Sequence, residues 1–347
     1  MTSPHPAVER ETRAVTRVLV TMPFSERQLD RIRAASPRLT VTRQDPATAD
    51  YRGVEILYAG DPPRDLRDAP ALRWVQLHMA GVNALQDHPL YRDTAIPLTT
   101  TSGVHAATIA EYAITVILAL AHRVPRMVEW HARKTWPPDR ERWPLFVPTE
   151  VRGATLGVIG YGSIGRELAR MAASALGMTV LACKRDPGQR SDPGYGLPGT
   201  GDPDGTLPAG WYGPAELPRM LPRCDVVVLC APLTVETQRL IDRRAIALMK
   251  PTAYVVNVGR GATVDETALA EALAAGRLAG AAIDVFAEEP PPAGHPFYDL
   301  DNVILSPHVS GFMPSYDDRC AELFAENLRR YLAGAPLLNL VDRARGY

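Results

Sequence analysis

Lysine is nearly missing from this sequence. Only Lys134, Lys184 and Lys250 occur, so almost all of the 38 Lys and Arg residues are arginine. Net charge is missing too. The 39 Asp and Glu residues bring it to −1, which leaves no global basic field for nucleic acid or an anionic membrane surface. Cysteine is scarce: Cys183, Cys224, Cys230 and Cys320 occur, and no pair has C-x-x-C spacing. Neither a zinc knuckle nor a redox motif is expected, and no metal site is read. Cys183 and Cys230 stand in apolar runs, where a free Cys is usually a small core residue. That usage fits a reducing, cytoplasmic setting. A membrane-length apolar run is lacking as well. The greasiest stretch, residues 106–121, contains Glu111 and is too short to span a bilayer, so it reads as a buried helix. Residues 1–13 are charged and Pro-bearing with no apolar h-region, and read as a loose tail rather than a signal peptide.

What is present is enough apolar material for two cores. The chain has 347 residues, 46% of them hydrophobic, which suits two domains better than one. Short strand patterns at 17–21, 39–42, 54–59 and 73–78 form a first α/β unit ending near Thr101, with Ser25 capping a helix that runs to about Ala35. A long apolar helix follows over 104–122. Residues 125–148 carry Trp130, Trp136, Trp143 and several prolines, and read as an irregular arm packed on a second subunit, because exposed Trp is costly unless covered. A second α/β unit starts at Ala154, with strands at 155–159, 179–183, 225–230, 254–258, 281–284 and 303–306. Residues 186–213, dense in Gly and Pro, are a long insertion or loop. Residues 315–332 make an amphipathic helix ended by Gly334.

Residues 157–165 read GVIGYGSIG. Gly160, Gly162 and Gly165 form G-x-G-x-x-G between a strand and a helix, which is the context a dinucleotide fingerprint requires. Gly160 permits the tight turn, Gly162 lets a pyrophosphate approach, Gly165 lets the helix pack on the strand, and the helix N-terminus faces the phosphates. The acid expected on the ribose about 20 residues later is absent. Its place falls at Lys184, next to Arg185. Two cations there favour a 2′-phosphate through charge-assisted hydrogen bonds, so NADP is favoured over NAD. On the other reading both cations are solvated and Asp186 serves the ribose.

Three later segments bring chemistry to strand ends. VVNVGRG places Arg260 where open sheets bind ligands, and an Arg can fork onto a carboxylate. IDVFAEEP offers Asp284, Glu288 and Glu289, and SPHVSG offers His308. An anion clamp, an acid and a titrating base beside a nucleotide loop are the parts that hydride transfer to a keto acid needs. With GYGSIG, then CAPLT at 230–234, then these three segments in this order, the chain resembles the D-2-hydroxyacid dehydrogenase family from about Val18 to Val341. Its nucleotide loop lies mid-chain, whereas L-lactate and malate dehydrogenases begin with theirs.

The resemblance implies two Rossmann-like or flavodoxin-like parallel-sheet domains with a catalytic cleft between them. Residues 1–122 would bind substrate, completed by a C-terminal helix at 312–347, and 123–311 would bind the dinucleotide. Arg260 would hold the substrate carboxylate and carbonyl, His308 would exchange a proton with the keto oxygen, and Glu289 would orient the imidazole. The backbone of Ala80, Gly81 and Val82 would cradle the carboxylate. The coenzyme would meet Tyr161, Ser163, Ile164, Ala231, Pro232, Val258, Gly259 and Gly311, with Asp284 at the nicotinamide amide and Thr108 nearby. Domain closure would exclude water. A homodimer is the family habit, and an arm Trp, 136 or 143, would reach the partner's cleft. Some positions depart from the family pattern. Asn83 stands where Asp is common and His105 where Asn is frequent. Ala80 replaces the Lys of phosphite dehydrogenases, and nothing resembles the long N-terminal extension of formate dehydrogenases. His78 and His105 line the pocket on one reading and are polar surface residues on another. The expectation is a reductase of glyoxylate, hydroxypyruvate or a similar small 2-oxo acid, with no nucleic acid or membrane partner. An NAD-dependent enzyme of another D-2-hydroxy acid and a nucleotide-sensing corepressor are the alternatives.

Overall fold

The structure is a computed structural model and describes residues 15–347. The tail reading of residues 1–13 lies outside the described residues. The chain divides into two compact units. One runs to Thr101 and resumes over Asp317–Val341, and the other holds Ser102–Tyr316 and Asp342–Tyr347.

In the first unit five strands, β1 (Thr16–Val20), β2 (Leu39–Arg43), β3 (Ile56–Ala59), β4 (Trp74–Leu77) and β5 (Leu98–Thr99), form a parallel sheet in the order β2-β1-β3-β4-β5. That is the flavodoxin-like winding. Every residue of β3 and β4 is buried, as expected where both faces of a parallel sheet are covered. The helix Tyr316–Ala333 supplies one cover. Its Phe324 ring sits 4.9 Å from Tyr58 and 5.4 Å from Trp74. A buried polar chain fixes the seat: Trp74 Nε1 donates to Thr99 Oγ1 (2.8 Å), Thr99 Oγ1 to Gln76 Oε1 (2.8 Å), and Asn327 Nδ2 to the same Gln76 oxygen (3.2 Å).

The second unit is a seven-stranded parallel sheet, β6 (Thr155–Ile159), β7 (Thr179–Cys183), β8 (Gly210–Tyr212), β9 (Val226–Leu229), β10 (Tyr254–Asn257), β11 (Gly280–Ile283) and β12 (Val303–Leu305), in the order β12-β11-β10-β9-β6-β7-β8. From β8 to β11 this is the doubly wound dinucleotide order, with the direction of winding reversing between β6 and β9. Leu181, Leu229, Val255 and Ile283 build the core on one face. On the other, Leu156, Val158 and Leu168 pack with Ile109, Ala113 and Ile117 of the helix Ala106–Ala121.

Three readings change. The domain boundary lies at Thr101 rather than 122, because the apolar face of Ala106–Ala121 is buried in the second unit's core. The arm is not irregular: it holds the helices Val124–Ala132 and Asp139–Phe146, the latter carrying Pro144. The insertion ends in β8, an edge strand paired with β7.

Candidate active site

The loops after β6, β9 and β10 converge. A Cβ on Gly160 (φ +98) would come within 2.5 Å of the Ala231 nitrogen, and one on Gly259 within 2.8 Å of the Ala231 carbonyl. Gly165 is equally constrained, because a Cβ there would meet the Gly160 carbonyl at 2.4 Å. Gly162 has nothing within 4 Å. It caps the helix Ser163–Leu176, whose first residues are Ser163 and Ile164. An open, glycine-lined cradle at a helix N-terminus fits the pyrophosphate of a dinucleotide. Val258 and Ala231 are buried walls of this region, while Pro232 is exposed. Tyr161 turns inward instead of toward the groove. It is 2% exposed and its hydroxyl donates to Asp202 Oδ2 at 2.7 Å.

At the end of β7, Lys184 is half-buried and its Nζ donates to the Gln189 carbonyl at 2.6 Å. Burial lowers its pKa, as does the Arg166 charge. Arg185 is exposed, lies over the Tyr347 ring at 5.0 Å, and pairs with Glu236 at 3.8 Å. Asp186 Oδ1 accepts from the Gly188 N–H at 2.9 Å, so this acid closes its own turn.

The strand ends opposite carry the proton-handling groups. His308 Nδ1 meets Glu289 Oε2 at 2.7 Å, and Glu289 Oε1 accepts from the Phe286 N–H at 2.9 Å. Both carboxylate oxygens are therefore fixed. His308 has φ +54, a left-handed conformation that only a minority of non-glycine residues adopt, and its N–H donates to the Asp284 carbonyl at 2.9 Å. Arg260 is largely buried and its guanidinium pKa is lowered by that burial. Its carbonyl accepts from Asn257 Nδ2 (3.1 Å) and Thr263 Oγ1 (2.6 Å), which holds the turn that presents it. A cavity of about 540 Å³ opens beside the His–Glu pair, walled by Phe286, Tyr298, Leu305 and Pro307.

Asp284 departs from expectation. It is fully buried, and its carboxylate accepts from Ser306 Oγ (2.5 Å), Val309 N (2.9 Å) and Ser310 N (3.1 Å). It holds the His308 loop rather than facing outward to a nicotinamide amide. Tyr112 extends this network, its hydroxyl lying 2.6 Å from Ser306 Oγ. Thr108 Oγ1 points to Met313 Sδ at 3.2 Å. Gly311 faces Ile109 and His105. His105 stacks on Tyr316 with centroids 5.9 Å apart. Its pKa falls to about 4, chiefly through burial and then through the charges of Arg260 and His308, so it is neutral at pH 7. Ala80, Gly81 and Val82 follow β4 in the first unit, where Val82 is buried. His78 in that unit is 2.9 Å from the Tyr58 hydroxyl and 3.5 Å from Asp317, and burial lowers its pKa.

Residues 114–310 match the model of the D-isomer specific 2-hydroxyacid dehydrogenase NAD binding domain. The chain belongs to the D-isomer specific 2-hydroxyacid dehydrogenase family. It is an NAD(P)-dependent oxidoreductase. It is 35% identical over 285 residues to a glyoxylate reductase of Aeropyrum pernix, covering 80% of this chain and 78% of that one. A glyoxylate reductase of Thermofilum pendens is 33% identical over 276 residues, 79% of this chain and 76% of that one. Among solved structures, a D-isomer specific 2-hydroxyacid dehydrogenase from Xanthobacter autotrophicus in complex with NADPH and MES superposes with a TM-score of 0.78 at 28% identity, covering 96% of this chain and 100% of that one. An NADPH-dependent glyoxylate/hydroxypyruvate reductase from Sinorhizobium meliloti, in complex with NADP and malonate, gives 0.67 at 27% identity, covering 96% and 98%.

For a dehydrogenase of this family the sequence reading missed Tyr112, Ser306 and Asp202. Tyr112 carries no motif, and Ser306 opens SPHVSG with no role assigned to it there, so only their meeting at Asp284 marks them. Asp202 is hidden in the Gly- and Pro-rich insertion. Among the described residues no cluster of three or more His, Cys, Asp and Glu is placed to hold a metal, and no single helix is long and apolar enough to cross a membrane.

Proposed function

We propose that this chain is an NADP(H)-preferring reductase of small 2-oxo acids such as glyoxylate or hydroxypyruvate. The observation that carries the reaction is the Glu289–His308 pair at 2.7 Å. With Nδ1 committed to Glu289, Nε2 is the nitrogen left to face a keto oxygen. Glu289 has its second oxygen on the Phe286 N–H, so it orients the ring rather than following it. Arg260 forks onto the substrate carboxylate, and burial strengthens that ion pair. Thr108 stands for the nicotinamide end, and Asp284, whose carboxylate holds the His308 loop, positions the histidine. The bound dinucleotide supplies the hydride. His308 gives its proton to the oxygen of the keto group, and takes one back in the reverse direction.

Lys184 and Arg185 support the preference for a 2′-phosphate, and Asp186, turned into its own loop, does not oppose it. The NADPH and NADP complexes of the Xanthobacter and Sinorhizobium proteins support the same choice, and the named glyoxylate reductases support the substrate. The test is oxidation of NADPH and of NADH against 2-oxo acids from glyoxylate to phenylpyruvate, repeated on Lys184→Asp. The expected result is a higher kcat/KM with NADPH and a small acid, and a shift toward NADH in the variant of at least tenfold, the scale of one charge-assisted contact. NADPH affinity unchanged in Lys184→Asp would remove Lys184 from the reading.

A further inference from the structure

The insertion after β7 is tied to the glycine loop by buried groups. Arg166 and Glu167, in the first turns of the helix Ser163–Leu176, are each 3% exposed. Both find partners in the insertion. Arg166 donates to the carbonyls of Asp202 and, at 2.6 Å, Arg190, with Asp192 Oδ2 3.3 Å from its Nε. Glu167 Oε2 accepts from the Gly201 N–H at 2.6 Å. Asp202 is itself buried, at 5% exposure. Its carboxylate accepts from Thr206 N (2.9 Å), Thr206 Oγ1 (3.2 Å), Leu207 N (3.1 Å) and the Tyr161 hydroxyl (2.7 Å). Tyr161 is the residue between the first two loop glycines. Its ring is held by the Arg166 guanidinium at 5.0 Å and by Trp211 of β8 at 5.0 Å.

The same segment reaches two other places. The Gln189 carbonyl holds Lys184. The Tyr195 carbonyl lies so close to Gly103 that a Cβ there would meet it at 2.2 Å. The insertion therefore runs from the β7 cation, across the helix that follows the glycine loop, to the turn preceding His105.

We propose that residues 186–209 are a strap that presets the dinucleotide loop, and that Asp202 is its positioning residue, acting through Tyr161. This rests on the dinucleotide reading of that loop. A phosphate cradle made of backbone N–H groups recognises pyrophosphate only if its turn is already in place. The carboxylate–phenol bond, shielded from water, sets that turn from the side away from the ligand. The strap thus governs binding of the part that NADPH and NADH share, while Lys184 governs the part in which they differ.

The test is the Kd of each coenzyme, by fluorescence titration, for the wild type, Tyr161→Phe and Asp202→Asn, with kcat at saturating coenzyme. Tyr161→Phe keeps the ring and removes only the hydroxyl. It is expected to raise the Kd of NADPH and of NADH by the same factor, about tenfold for one hydrogen bond to a charged acceptor, while kcat changes less than twofold. Asp202→Asn, which keeps an acceptor for the hydroxyl, is expected to fall between wild type and Tyr161→Phe. Unchanged Kd for both coenzymes in Tyr161→Phe would overturn the proposal. So would a loss confined to NADPH, or one that appears in kcat alone. If the wild type itself binds NADH more tightly, the 2′-phosphate reading falls, and the strap is still decided by the NADH titration.

Discussion

At the residue scale the site depends on one histidine held in an uncommon backbone conformation. His308 at φ +54 is kept there by its own N–H on the Asp284 carbonyl and by the neighbouring N–H groups of Val309 and Ser310 on the Asp284 carboxylate. Glu289 then fixes the ring from Nδ1. Glu289→Gln keeps the shape and removes the charge that stabilises a protonated imidazole. It is expected to lower kcat by roughly 10²-fold, the lower end of general acid–base contributions, with little change in coenzyme Kd. Steady-state kinetics with a saturating 2-oxo acid measures it, and an unchanged kcat would remove Glu289 from the proton path. His105 plays a different part. Neutral and stacked on Tyr316, it adds no further positive charge beside Arg260.

At the element scale, the strands were legible because parallel strands buried on both faces leave short apolar runs between helical segments. Thr155–Ile159 and Thr179–Cys183 are where the pattern places them, and the glycine loop follows the first of these. The exceptions have physical causes. β8 is three residues long and follows a Gly- and Pro-rich stretch, so no alternation marks it. The arm helices Val124–Ala132 and Asp139–Phe146 contain prolines that argue against helix, yet Pro125 sits in a first turn, where its missing N–H costs nothing. The helix Ala106–Ala121 is apolar on so much of its surface that the sequence does not say which unit it covers. Arg260, Glu289 and His308 were readable from motifs, whereas Asp284's inward role was not, because hydrogen-bond direction is not written in a motif. The strap gives this scale its own prediction. Arg166→Met leaves the carbonyls of Asp202 and Arg190 without their buried donor. The expected loss is about 3 kcal/mol, in the range for stranding buried polar groups. The urea midpoint measures it, and a change under about 0.5 kcal/mol, the scale of an ordinary surface substitution, would show that the strap is not part of the folded unit's stability.

At the scale of the whole molecule, the surface of the arm asks for a cover. Trp136 and Trp143 are 80% and 76% exposed, and Val128 is exposed with them. Apolar surface of this kind marks an interaction site, and we take the partner to be a second copy of the chain. Sedimentation of the wild type at micromolar concentration is expected to give a dimer. Trp136→Ser with Trp143→Ser is expected to weaken it at least tenfold, as loss of large aromatic anchors does. A wild-type monomer, or a dimer indifferent to both changes, would refute this.

The first unit is built from two distant stretches of chain, and that gives its manufacture an order. Gln76 and Trp74 emerge from the ribosome early, yet Asn327 and Phe324, which complete their surroundings, are made only after Ser102–Tyr316, the bulk of the second unit. Synthesis proceeds at roughly 5–20 residues per second and domains fold as they appear. The second unit can therefore close first, while the sheet of the first waits for its last helix. A message cut short just before Asn327 would yield the dinucleotide sheet, without the Asp342–Tyr347 piece of its unit, joined to an uncovered sheet, a product that chaperones and proteases would recognise.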